Sequence, residues 1–253
     1  MNSTGLSTLL RKECNRFLRV AVQTLLAPVI TALLYLAVFA QVLAGRMEVY
    51  QGVSYLQFLV PGLVMMTVIQ NAYANTSSSL LQSKLNGSIN FLLVSPISSL
   101  EIYMALVIAA VLRAILAGLG VLLFSLLFVD VMVVDPLIVI SFLLLSSALL
   151  GTLGMVAGIW AQQFEQMAAF QNFIVMPLSF LAGVFYSISS LPGIWPTVSR
   201  FNPFFYMVDG FRYGFLGVSE VSPLSSLAFI GLALIASSLF VLFLLVNGYK
   251  LRL

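Results

Sequence analysis

The chain has 253 residues, 61% of them hydrophobic and 8% charged, with 11 Lys+Arg against 8 Asp+Glu for a net charge of +3. An ordinary soluble domain carries about 25% charged residues, so these few charges cannot clothe a water-facing surface, and the mean hydropathy of +1.11 agrees. A soluble enzyme, a disordered chain and a disulfide scaffold are excluded; the solvent of this protein is lipid.

A bilayer core is about 30 Å thick and takes roughly 20 apolar residues per helical crossing. Six crossings therefore leave only short loops and tails, with no room for a nucleotide-binding domain. Leu6, Leu9, Leu10, Cys14, Phe17 and Ala21 recur at three- and four-residue steps, with Arg11, Lys12, Arg16 and Arg19 on the other side. That pattern predicts a basic amphipathic helix lying in the membrane plane, cations toward lipid phosphates. Glu13 falls on its apolar face, either snorkelling or paired with a lysine, or reaching another helix or subunit.

The first span is expected at about 20–44. Its apolar run is too long for a cleaved signal peptide, whose core is about 7–15 residues, so it reads as retained. Further spans are expected at 55–80, 102–128, 136–160, 172–190 (irregular after Gly183) and 224–246. An even count puts both termini on one side, with Arg11, Lys12, Arg16, Arg19, Lys84, Lys250 and Arg252, against Arg46, Arg200 and Arg212 opposite. The positive-inside bias makes the first side cytoplasmic. The whole chain reads as a single all-α domain.

Several polar groups lie inside the spans. Thr67, Asn71, Asn75 and Ser78 share one stripe of the second, either as interhelical glue or as the lining of a path. Arg113, near the middle of the third span, must be paired or hydrated; Asn71, Asn75 or the Ser146-Ser147 pair could supply oxygens. Gly151, Gly154 and Gly158 make a small-residue face on the fourth span, a weak signal for a dimer contact.

Between Phe185 and Pro223, four prolines and four glycines interrupt a stretch dense in Phe, Tyr and Trp. This reads as short helices dipping back into the membrane, or as an extracellular loop. Asp209 and Arg212 would pair at i,i+3 if 204–217 is helical. Between the second and third spans, Leu85 to Pro96 begins at Asn86-Gly87 and closes at Ser95-Pro96. Phe91, Leu92 and Leu93 offer it more apolar surface than a free loop carries, for a protein groove or for lipid headgroups.

No Gly-Lys-Ser/Thr phosphate loop is present, histidine is absent, and Cys14 is the lone cysteine. A nucleotide site, a zinc site and a Cys–His dyad have no residues to build them. An intramembrane enzyme and a non-transporting membrane scaffold remain as alternatives to a transporter. Neither a nucleic acid partner nor a resident cofactor is expected.

The runs Phe58-Leu59-Val60-Pro61-Gly62-Leu63, Asn71-Ala72-Tyr73-Ala74-Asn75, Asn86-Gly87 and Phe91-Leu92-Leu93-Val94-Ser95-Pro96 resemble the ABC-2 type permease family. So do Met176-Pro177-Leu178, Gly183-Val184-Phe185-Tyr186, Leu191-Pro192, Asn202-Pro203, Arg212 and Gly217, so that the likeness covers roughly 56–217. It points to bacterial inner-membrane permeases of the multidrug and nodulation-factor branch. The resemblance implies an exporter subunit of an amphipathic, lipid-linked or drug-like substrate, working as a dimer, a homodimer where one permease is encoded. ATP-Mg would be held by a separate ATPase subunit. It implies a coupling helix formed by Leu85, Asn86, Gly87, Phe91, Leu92, Leu93 and Pro96, with Glu13 grouped beside it. It also implies re-entrant helices carrying Phe185, Tyr186, Asn202, Pro203, Asp209 and Arg212 as an outer gate.

Overall fold

The computed structural model describes residues 3–43, 48–50 and 53–251, so Arg46 and Arg252, placed above by charge bias, lie outside the described residues. Helix α1 (Ser3–Arg19) runs through a π-helical turn (Val22–Leu26) into α2 (Ala27–Leu43). Two short antiparallel strands, β1 (Glu48–Tyr50) and β2 (Val53–Ser54), follow. They are a departure from an all-helical chain, in a connection whose backbone groups need partners.

Helix α3 (Tyr55–Leu85) starts at a capping box, in which Ser54 accepts from the Gln57 amide and Gln57 returns to the Ser54 amide. It outlasts its expected end by five residues. Then come α4 (Ser88–Val94), α5 (Ser99–Ser125) and α6 (Pro136–Trp160), the last capped by Asp135 with Pro136 in its first turn. Among the described residues, five helices are long and apolar enough to cross a membrane: Val22–Phe39, Tyr55–Leu85, Ser99–Ser125, Pro136–Trp160 and Pro223–Val246.

No helix among the described residues between Trp160 and Pro223 is long and apolar enough to be the crossing expected at 172–190. A continuous rod is built there from α7 (Phe164–Phe170), a π-helical turn (Gln171–Val175) and α8 (Met176–Phe180), and the chain turns away at Leu181. Both π turns end two residues before a proline, Pro28 and Pro177. Proline removes a donor and crowds the preceding turn, so the ladder widens just ahead of it. A 3-10 turn (Ile188–Ser190), α9 (Trp195–Arg200), α10 (Pro203–Leu216) and α11 (Pro223–Val246) complete the chain.

Helix α3 is the hub, packed between α5 and α6. The glycine face of α6 is turned toward it and is spent inside the chain. A Cβ at Gly158 would stand 2.9 Å from the Ser77 carbonyl, and one at Gly154 would collide with the Thr76 hydroxyl and the Tyr73 carbonyl. Thr76 Oγ1 uses the close approach to donate to the Gly151 carbonyl at 2.6 Å. The expected dimer contact through these glycines is therefore an α3–α6 contact.

Candidate functional site

At one end of the bundle α1, α4, the α6–α7 turn and the C-terminal residues through Leu251 meet. Leu9, Ile89, Ile159 and Leu251 share a buried cluster there. Lys84 is buried at the end of α3 and donates to the carbonyls of Ile159 (2.8 Å) and Ala161 (2.6 Å). These belong to the last turn and cap of α6, whose orphan carbonyls and negative dipole end favour a cation. Lys250 Nζ lies 5.4 Å from the centre of the Trp160 ring.

On this base stands α4. Asn86 and Gly87 separate it from α3, Gly87 taking the left-handed φ of +69° that a residue with a Cβ resists. Ile89 turns inward, while Phe91 and Val94 are each 78% exposed. The exposed pair is thus Phe91 with Val94, neighbours at i,i+3, and not the run Phe91-Leu92-Leu93. Leu92 and Leu93 are half-buried against the cluster below; Leu85, Asn86 and Pro96 are exposed. A groove of about 530 Å³ separates α4 from α1, lined by Thr4, Thr8, Lys12, Phe91, Leu92 and Pro96.

Glu13 faces away from that groove. Its carboxylate, 1% exposed, accepts from Arg16 Nε (3.0 Å) and Ser79 Oγ (2.6 Å) and lies 3.6 Å from Lys12 Nζ. Its reach is to α3 of the same chain, so it bears on α4 only by holding α1 in place. Arg16, expected among the lipid-facing cations, turns inward with it and donates to the Asn75 carbonyl and Oδ1, both at 2.9 Å, and to Ser78. Partial burial, then the Glu13 carboxylate beside it, push the Cys14 thiol up.

The polar stripe of α3 is divided between two arginines. Asn75 and Ser78 serve Arg16. Asn71 Oδ1 accepts from Arg113 Nη2 at 3.3 Å while its amide donates to the Thr67 carbonyl at 3.0 Å. Ser147 is bonded within its own helix, to the Leu143 carbonyl, so neither serine of that pair reaches Arg113. The Nε of Arg113, the Nε2 of Gln70 and the Nδ2 of Asn75 are buried without a partner. A cavity of about 310 Å³ opens between the first span and α3, lined in part by Gln23, Thr31, Tyr35, Gln70, Asn71 and Arg113.

The opposite end is closed by the segment after α8. Asn202 caps α10, accepting from the Phe204 amide at 3.0 Å, and its own amide reaches back to the Leu178 carbonyl at 2.6 Å; Pro203 fills the first turn. Phe185 stacks among Tyr35, Phe39 and Phe180, its carbonyl receives the Tyr55 hydroxyl at 2.9 Å, and the Tyr186 hydroxyl reaches the Phe180 carbonyl.

Both Asp209 and Arg212 are buried on α10, and each is held by backbone of a different segment. Asp209 accepts the amides of Glu220 and Val221 at 3.1 Å. Arg212 donates to the carbonyls of Gly183 (2.7 Å) and Phe58 (3.3 Å), its guanidinium carbon 3.8 Å from the centre of the Phe58 ring. Gly62 leaves room for it, since a Cβ there would sit 3.1 Å from Arg212 Nη2.

Sequence reading missed Lys84 as a helix cap, Glu220, which receives the Ser187 hydroxyl, and Tyr103, whose hydroxyl joins Thr152 on α6 and Ser238 on α11. For Lys84 a signal existed: a cation just before Asn86-Gly87, where a helix ends.

Comparison with known proteins agrees with this architecture. The ABC-2 type transporter family matches residues 4–216. The chain is 38% identical over 248 residues to the inner membrane transport permease YadH of Escherichia coli K12, covering 98% of this chain and 97% of that one. It is 23% identical over 200 residues to nodulation protein J of Rhizobium meliloti, covering 79% and 76%. Sequence motifs, helical bundle and relatives converge, and the chain belongs to the ABC-2 type transporter family, the membrane permease subunits of ABC transporters.

Proposed function

We propose that this permease exports an amphipathic substrate across a bacterial inner membrane, as a six-span homodimer driven by a separate ATPase subunit that docks on α4. The observation that carries the reading is the Phe91–Val94 pair, exposed on a short helix fixed between α3 and α5. The described cations Arg11, Lys12, Arg16, Arg19, Lys84 and Lys250 lie toward the same end, which makes it cytoplasmic under the positive-inside rule. Both termini are then cytoplasmic, α7–α8 is the fifth of six crossings, and the segment from Leu181 to Gly217 is a re-entrant outer cap.

An apolar pair of this kind fits a protein groove better than lipid headgroups, since Lys84 is buried and bonded to α6 rather than free to flank it. ATP binding would draw two such docking helices together, and the permease moves because the nucleotide favours one of its states over the other.

The test is co-purification of the ATPase with Phe91→Ala/Val94→Ala. Each side chain contributes roughly 1.5–3 kcal/mol if buried, so ATPase recovery falls at least about tenfold while the permease keeps its size-exclusion profile. Undiminished recovery from well-folded protein refutes docking at α4. A parent permease that binds no ATPase at all would favour a scaffold or an enzyme.

A further inference from the structure

The cavity between the first span and α3 holds an arginine with unmet hydrogen-bonding capacity. Arg113 lies near the middle of α5 (Ser99–Ser125), about 21 Å along its axis, and is 92% buried by its 8% exposure. A guanidinium has five N–H donors. Among the described residues this one makes a single long hydrogen bond, to Asn71 Oδ1 at 3.3 Å, and no ion pair, and its Nε has no partner.

Beside it the amide nitrogen of Gln70 is also buried and unpartnered. Both residues line one cavity, and each keeps a donor that no acceptor of the chain meets, which describes half of a binding site. The missing half is an anion. A planar fork matches the paired oxygens of a carboxylate or a phosphate ester, and at this depth little water competes for them.

The remaining walls say what carries the anion. Leu63, Met66 and Met176 make them apolar. The first span, which closes one side, is buried over only 17% of its window, so the cavity opens toward the outside of the protomer. At about 310 Å³ the space is at the small end of ligand sites, which run roughly 300–1,000 Å³. It takes a headgroup and leaves an apolar body outside.

We propose that Arg113 and Gln70 are the headgroup site for the transported molecule, and that the substrate class is a singly anionic amphiphile bearing a carboxylate or phosphate ester. This rests on the export reading above and narrows it.

The test uses full-length permease in nanodiscs of zwitterionic lipid, with dodecyl phosphate as probe, dodecylphosphocholine as the charge-neutralised control and inorganic phosphate as the free anion. Dodecyl phosphate binds the parent. Arg113→Gln, which keeps a polar side chain at this position, weakens it at least about tenfold, the smaller end of a charge-assisted hydrogen bond. Arg113→Lys recovers part of the loss. Gln70→Leu, a milder change should Arg113→Gln fail to fold, weakens binding about threefold. Dodecylphosphocholine binding is unchanged by all three.

Competition by inorganic phosphate at equal affinity makes the site one for the free anion; preference for the amphiphile makes it one for the headgroup. The first outcome overturns the amphiphile as substrate class; the second supports it. Equal dodecyl phosphate binding by parent and folded Arg113→Gln, or no binding by either, overturns it. ATPase co-purification from the same preparations keeps the two readings apart. If it persists while anion binding is absent, the substrate inference falls and the docking reading stands.

Discussion

The second span and the last make an instructive pair. Tyr55–Leu85 has a mean hydropathy of 1.2 over its best window and is 83% buried there; Pro223–Val246 reaches 2.8 and is 22% buried. In a soluble protein the order would be reversed. Here the outside is the more apolar solvent, so a side chain gains little by leaving lipid for the interior, and the hub helix is chosen for what it can bond and how closely it can be approached. Its Asn75 and Asn71 accept from Arg16 and Arg113 and its Ser79 hydroxyl donates to Glu13, while α11 contributes surface.

The sharpest way to break that contrast is the same substitution on both kinds of helix. Gly154→Leu drives a side chain into Thr76 and the Tyr73 carbonyl, and backbone cannot step aside. It costs about 3 kcal/mol or more and reduces the folded fraction in detergent. Gly231→Leu on α11 meets open space and stays within about 0.5 kcal/mol of the parent. Thermal unfolding followed by size exclusion compares them directly; equal damage would show that α11 is also packed, by a second chain.

Next comes exchange of the buried charges of α10. If Asp209 and Arg212 were held chiefly by each other, Asp209→Arg/Arg212→Asp would outperform either single neutralisation. Since Asp209 serves two amides and Arg212 two carbonyls, the exchange points each charge at groups of the wrong sign. Asp209→Asn and Arg212→Met each cost about 1.5–3 kcal/mol, and the double exchange is no better than the worse of them. Rescue by the exchange would restore mutual pairing as the main restraint.

A smaller effect belongs to α1. Glu13→Gln keeps one acceptor for Ser79 but loses the charge beside Arg16, costing about 1–2 kcal/mol, and frays α1 first. Hydrogen exchange at the amides of 9–17 would rise before that of α3. Least of all, Cys14 reports on the same contact. Its raised pKa leaves less thiolate at pH 8, so maleimide labelling is slow in the parent and faster in Glu13→Gln; an unchanged rate would mean that the carboxylate does not govern the thiol.

A long apolar helix needs length and apolarity, both one-dimensional, so the bounds of the long helices were legible to within a few residues, Pro136–Trp160 without error. The helical segment expected at 172–190 lies instead at Phe164–Phe180, because it is widened by a turn ahead of Pro177 and because aromatic residues beyond it mimic a continuing helix. Side-chain partners were less legible. The stripe from Thr67 to Ser78 announces that something polar lies opposite and offered Asn71 to Arg113, but only the path of α1 brings Arg16 to the other half. Likewise i,i+3 spacing brings Asp209 near Arg212 without revealing that loops at Gly183 and Glu220 arrive with backbone groups of their own.

One helix touches both ends of the molecule. With its 31 residues α3 is about 46 Å long, its first turns bonded to Phe185 and Arg212 at one end of the bundle and its last turn bonded to α6 beside α4 at the other. Two sites on one unbroken rod share a free energy. If a partner docks on α4 as proposed, whatever factor it applies to a movement at the Phe185 end, that movement must return to the affinity of the partner. On the proposed reading, a molecule seated at the Phe185 end would tune how tightly a partner is held on α4, and that tightness would report on occupancy at the far end.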